Sequence, residues 1–251
     1  MVHGLEIFKD YFSEFSEQYV IIGGTACDIL MKHALSSFRT TKDLDIVLIF
    51  EALNDSFSKR FWKFISDGEY KNKNRSTGKE CFYRFSYPGK ASYPYMIELF
   101  SKKPEKNRII LDSVVTPIHI SESIASLSAI LLDDDYYQMI LSGRSVINGI
   151  TILKAEFLIL LKIRAWIDLS NRISKGESID SADLKKHKND VFRLLTIIPP
   201  SLQCLVTQKV MYDVSGFLEM MQHDNTDLRT LNIRSITKKE LLTRVKEIYC
   251  I

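Results

Sequence analysis

The sequence predicts an α+β fold, with a mixed-sheet core over residues 1–150 and a helical domain over residues 151–251. Three observations predict it. Strand and helix patterns alternate through the first half of the chain. The run Leu44-Asp45-Ile46-Val47-Leu48-Ile49-Phe50 is apolar on both faces after its acid, as a central strand covered by helices must be. From Lys154 onward the apolar residues recur mainly at helical spacing.

Taken in order, apolar residues at 5, 8, 12 and 15 make a helical stripe. Tyr19-Val20-Ile21-Ile22 is a short β-type run stopped by Gly23-Gly24. Thr25 is placed to cap a helix reaching about residue 35. The apolar run at 44–50 is the next strand, and residues 56–66 read as a helix. Strands are expected over 81–87 and 95–101, with Pro88-Gly89 marking the turn between them, and another over 114–120. Residues 121–132 open on Ser and carry Glu and apolar residues at helical spacing, which predicts a helix. Asn148-Gly149, inside 145–152, is the dipeptide of a type I′ hairpin turn. Helices are then expected over 154–171, 181–198, 201–222 and 236–248, with Pro199-Pro200 ending the second.

Length allows one large domain or two modest ones, and 45% hydrophobic with 26% charged residues is ordinary for a chain that buries a core. Ten Gly and six Pro are too few for long low-complexity stretches. The net charge of +3 is too small to name a nucleic-acid partner. Its distribution is more specific. Residues 71–79 hold Lys71, Lys73, Arg75 and Lys79 and no acid, and a second basic cluster runs from Lys102 to Arg108. These are either solvated loops or surfaces that steer RNA or a nucleotide. Cys27, Cys81, Cys204 and Cys250 show no metal spacing. The first ten residues do not read as a signal peptide, and the apolar stretch 157–169 is broken by Lys162, Arg164 and Asp168. The expectation is a cytoplasmic protein with no membrane association.

Three features carry chemistry. Gly23-Gly24-Thr25 joins a strand to a helix. Two glycines let backbone pass close to a ligand, and the helix start turns free N–H groups toward an anion, although such a turn is often only a turn. Lys42-Asp43-Leu44-Asp45 opens the buried strand, and side chains two apart on a strand share a face. Asp43 and Asp45 therefore aim paired carboxylates at one point, the oxygen ligands a hard cation such as Mg²⁺ prefers. Glu98, within Met96-Ile97-Glu98-Leu99-Phe100, is either a solvated carboxylate or a third metal ligand and general base.

Ile21-Ile22-Gly23-Gly24-Thr25-Ala26 followed by Arg39-Thr40-Thr41-Lys42-Asp43-Leu44-Asp45-Ile46 resembles the nucleotidyltransferase superfamily of the DNA polymerase β fold. More narrowly the chain is similar to the AbiEii/AbiGii toxin-like nucleotidyltransferases of abortive-infection and type IV toxin–antitoxin systems. Leu160-Leu161-Lys162-Ile163-Arg164-Ala165-Trp166 and Lys186-His187-Lys188-Asn189-Asp190-Val191-Phe192 are similar to the family's later, looser motifs. The resemblance spans residues 19–195. It implies a mixed-sheet nucleotidyltransferase core with helices on its faces, followed by a C-terminal helical domain that contributes to the site. It implies nucleotide binding by Gly23, Gly24, Thr25, Lys42 and Lys162, and Mg²⁺ (or Mn²⁺) held by Asp43, Asp45 and Glu98. Lys162 and Asp190 would complete the catalytic set. Physics leaves each an alternative: Lys162 interrupts an apolar run and either snorkels or meets an anion, and Asp190 either serves the site or pairs with a surface Lys.

The implied reaction moves an NMP from an NTP to an acceptor with release of pyrophosphate. The acceptor is tRNA or a protein in a toxin-like member, with a cognate antitoxin as a further partner. The rival readings are a small-molecule, antibiotic-type nucleotidyltransferase and a non-catalytic nucleotide- or RNA-binding module. Intact Asp43 and Asp45 weigh against the last.

Overall fold

The computed structural model describes residues 2–71, 83–102 and 132–251, together with the strand backbones 115–118 and 127–131. The chain forms two compact units. The first takes in residues 1–29 and 39–153, the second residues 30–38 and 154–251. Nine residues of the first half, 30–38, group with the helical unit.

The first unit is an α+β sandwich on a mixed sheet. Its elements are α1 (Leu5–Phe12), β1 (Tyr19–Ile22), the start of α2 (Gly23–His33), β2 (Asp43–Leu48), α3 (Asp55–Asp67), β3 (Arg84–Ser86), β4 (Met96–Ser101), β5 (Val115–Ile118), β6 (Leu127–Leu131), α4 (Asp134–Ser142), β7 (Arg144–Ile147) and β8 (Ile150–Leu153). The strand order is β5-β6-β4-β2-β1-β8-β7, with β3 on β4. β2 runs antiparallel to β1 and parallel to β4, which makes it a central strand. Its apolar run needs that position, because Leu44, Ile46, Val47 and Leu48 are all fully buried.

Register divides the sheet into two chemically different faces. Tyr19, Ile21, Leu44, Ile46, Ile97 and Phe85 fall on one face by their pairings. That face meets an aromatic layer from α1 and α3, in which Phe8 packs edge-on to Tyr19 at 5.2 Å and Phe61 edge-on to Phe85 at 5.7 Å. The apolar positions 5, 8 and 12 of α1 are the residues buried here, as their spacing requires. Deleting any one of these rings would cost about 3–5 kcal/mol. Asp43, Asp45 and Glu98 lie on the opposite face.

Two local expectations meet a different outcome. Residues 121–132 were expected to be helical, but 127–131 form β6, paired parallel to β4 and antiparallel to β5. Pairing on both edges satisfies the backbone of Leu127-Ser128-Ala129-Ile130-Leu131 and overrides a weak helical periodicity. Thr25 does not cap α2. The helix starts at Gly23, and Thr25 is buried within its first turn. One helix was not anticipated: α4, where the Asp133 carboxylate caps Asp135 N and Tyr136, Tyr137 and Ile140 enter the core. The predicted hairpin is β7–β8, with Asn148 at φ 52° and Gly149 at φ 79°.

The second unit comprises α5 (Ala155–Ser174), α6 (Ser181–Leu195), α7 (Gln208–Gln222) and α8 (Lys238–Tyr249), with the end of α2. α5 packs on α6 and α7, and Trp166 meets Phe217 edge-on at 5.4 Å. α8 opens on a capping box between Thr237 and Glu240, and Tyr249 donates to the Glu156 carbonyl at 2.6 Å. Among the described residues no helix is long and apolar enough to cross a membrane.

Candidate active site

Asp43 and Asp45 are the first and third residues of β2, on the face away from the aromatic layer, and both are half-buried. Asp45 stands between Ile22 of β1 and Glu98 of β4, and Glu98 stands beside Arg84 of β3. One row across the sheet thus reads Ile22, Asp45, Glu98, Arg84. The Arg84 guanidinium donates from Nε at 2.6 Å and lies 2.5 Å from the same Glu98 Oε1 through Nη2. Arg84 is half-exposed, so this pair contributes little stability, on the order of 1 kcal/mol or less. Its effect is to fix the direction of the Glu98 carboxylate.

The Gly-Gly turn is built around these acids. Gly23 has φ 68°, and a Cβ placed on it would lie 1.8 Å from Asp45 Oδ2. The carboxylate therefore occupies the space that a side chain at 23 would fill. Gly24 is constrained differently: a Cβ there would lie 2.7 Å from Thr41 Oγ1 and 3.3 Å from Arg39 Nη2. Thr25 Oγ1 donates to the Asp43 carbonyl at 2.7 Å. Its fully buried hydroxyl ties the first turn of α2 to the start of β2, so Thr25 positions Asp43. Lys42 is exposed, and its carbonyl accepts from Tyr95 N at 3.2 Å, joining this corner to the approach of β4.

The donor set suits a hard divalent cation: two carboxylates on one strand face, with room for Asp45 made by a missing Cβ. Among the described residues no three His, Cys, Asp or Glu side chains form a ready metal centre. Glu98 is in register with Asp45, and its Oε1 is turned to Arg84. A cation here would be held by Asp43 and Asp45 and would complete its shell with substrate oxygens and water.

Lys162 and Asp190 belong to the helical unit, and there they meet each other. Lys162 Nζ lies 3.0 Å from Asp190 Oδ2, and the side chains are 5% and 0% exposed. Arg193 Nη1 is 3.6 Å from Asp190 Oδ1, and its guanidinium lies over the Phe38 ring at 5.9 Å. Lys162 does not snorkel and Asp190 is not a surface residue. The pair links α5 to α6.

Most of the basic cluster at 71–79 and of that at 102–108 lies outside the described residues, as does Cys81. Lys71 bridges to Ser86 through its backbone. Lys102 is ion-paired to Glu51 and lies over the Tyr137 ring at 5.6 Å. Desolvation alone would raise the pKa of Glu51, but hydrogen bonds from Lys102 and Tyr137 outweigh it and hold it below the ordinary value. Arg39, Thr41 and Arg84 were not singled out from the sequence as site residues. Arg39 and Thr41 lie inside the motif itself, whereas Arg84 becomes visible only through strand register.

No family model matches this chain, and no curated protein matches it. Among solved structures, the solution structure of antibiotic-resistance factor ANT(2'')-Ia is similar at 12% identity and a TM-score of 0.39, covering 86% of this chain and 91% of that one. A likeness at that level carries no argument about the chemistry of this site.

Proposed function

We propose that the chain is a metal-dependent nucleotidyltransferase that moves an NMP from an NTP to an acceptor and releases pyrophosphate. The observation that carries this reading is the lodging of the Asp45 carboxylate against Gly23, with Asp43 on the same strand face and the N-terminus of α2 beside both. The motif resemblance around Gly23, Gly24, Asp43 and Asp45 supports it.

In this reading the first N–H groups of α2 and the side chain of Lys42 receive triphosphate oxygens. Asp43 and Asp45 hold Mg²⁺ or Mn²⁺, which when bound supplies charge neutralisation for the triphosphate and the leaving pyrophosphate. Thr25 keeps Asp43 in place through its carbonyl. Glu98, whose carboxylate Arg84 orients, is proposed as the third carboxylate, a metal ligand and the general base toward the attacking hydroxyl. Most of the acceleration comes from positioning and charge neutralisation, as in other phosphoryl transfers. The resemblance also assigns Lys162 and Asp190 to the site. A toxin-like role in the cytoplasm, a tRNA or protein acceptor and a cognate antitoxin are the finer parts of the proposal, and they rest on that resemblance alone.

The test is incubation of the full chain with each α-labelled NTP, Mg²⁺ and total RNA, in wild type, Asp43→Asn and Asp45→Asn. The expected result is label in RNA from the wild type and background from both variants. Label in both variants at the wild-type rate would overturn the metal assignment. Absence of label in RNA, protein and small-molecule fractions would overturn transfer altogether.

A further inference from the structure

The helical unit contains a cavity of about 350 Å³ that the donor site does not use. That volume lies at the small end of ligand pockets, the size of a mononucleotide. It is formed by the end of α2, the end of α6 and the segment at 231–235, all within the second unit. Its lining includes Arg193 and Arg234, the hydroxyls of Ser36, Ser37, Thr196 and Ser235, and no Asp or Glu. Met31, Leu231 and Ile233 give it an apolar floor and are almost fully buried.

Two features show that the cavity is prepared for an anion. Arg193 is held by the Phe38 ring on one side and Asp190 on the other, so its guanidinium is fixed before any ligand arrives. Helix C-termini oppose an anion with roughly half an elementary charge each. Here the final turns are closed, by Ser36 N to the Met31 carbonyl and by Ile197 N to the Leu194 carbonyl. Asp190 is already paired with Lys162, so Arg193 and Arg234 still leave the lining net positive.

Leu35 supplies a third observation. It sits on the cavity wall at φ 55°, a left-handed conformation that favours glycine, and its side chain is 98% exposed. This is the ordinary left-handed close of a helix, with Ser36 N on the Met31 carbonyl, and it leaves the leucine side chain as apolar surface on the cavity wall.

We infer that this cavity binds the phosphate of a mononucleotide-sized unit through Arg193 and Arg234, with the ring of the unit against Leu35. This binding does not rest on the nucleotidyltransferase reading.

The experiment titrates AMP, GMP, CMP, UMP and inorganic phosphate into the full chain by calorimetry, with EDTA present so that metal-dependent donor binding is silent. The Asp43→Asn/Asp45→Asn double variant is titrated alongside. At least one NMP is expected to bind equally to wild type and to that double variant. Arg234→Ser should weaken this binding at least tenfold. Leu35→Gly should weaken NMP but not phosphate, while leaving the melting temperature unchanged or higher. Absence of binding by every probe, unchanged affinity in Arg234→Ser, or loss of binding in the Asp43/Asp45 variant would each overturn the inference. If RNA labelling fails while Arg234-dependent binding persists, the transfer reading falls and the pocket stands.

Discussion

Replacing Gly23 with Ala puts a methyl group where the Asp45 carboxylate now lies, 1.8 Å from Oδ2. The cost has two parts. An L-residue at φ 68° carries left-handed strain of about 1–2 kcal/mol. Overpacking against a half-buried carboxylate on a central strand adds about 1–3 kcal/mol. For a chain of this size the two together lower the melting temperature on the order of 10 °C. The clash is relieved only if Asp45 rotates away, so metal-dependent NTP binding is expected to vanish with it. A double-mutant cycle separates the parts. Asp45→Ala removes the atoms that clash, so Gly23→Ala/Asp45→Ala should be more stable than the sum of the single effects by about 1–2 kcal/mol. The assays are thermal or urea unfolding of the four proteins and calorimetry with MgNTP. Strictly additive stabilities, or wild-type NTP affinity in Gly23→Ala, would refute the close approach of Gly23 and Asp45 as the basis of the site.

Gly24→Val should reduce NTP affinity at least tenfold while shifting stability by about 1 kcal/mol or less, since its new atoms meet Thr41 and Arg39 side chains and not backbone; unchanged affinity would make the glycines a simple turn. Lys162→Met should cost about 1–3 kcal/mol, because it removes the 3.0 Å partner of buried Asp190 and leaves it Arg193 at 3.6 Å; a fully stable single variant in urea denaturation would contradict the pairing. Stability should fall at alkaline pH. Burial raises the Cys204 thiol from 9.0 to about 11 and the Tyr19 phenol from 10.0 to about 12. Above pH 9 the unfolded chain releases these protons while the folded chain keeps them, so folding is progressively weakened up to about pH 12. Cys204→Ala should flatten the first part of that decline, and a flat urea midpoint from pH 8 to 11 in the parent would count against it.

The sequence by itself determined what local spacing encodes. The stripe at 5, 8, 12 and 15, the Asn148-Gly149 hairpin and the apolar run at 44–50 each depend on neighbours within a few residues, and each formed in the main where its pattern placed it, with Phe15 in a separate 3-10 turn after α1 and β2 ending at Leu48. The pairing of Asp43 and Asp45 on one face was legible for the same reason, since alternation is a property of a single strand. Tertiary structure decided the rest. The Asp45–Glu98–Arg84 row joins three strands and depends on register, which is set by the summed hydrogen bonds and packing of segments far apart in sequence. The same long-range pairing made residues 127–131 a strand against their local pattern. That Lys162 and Asp190 neutralise each other was likewise invisible, because nothing within either helix states which face the other presents. The Gly-Gly motif allowed a close approach without requiring one; only the fold showed that at Gly23 the carboxylate of Asp45 comes close.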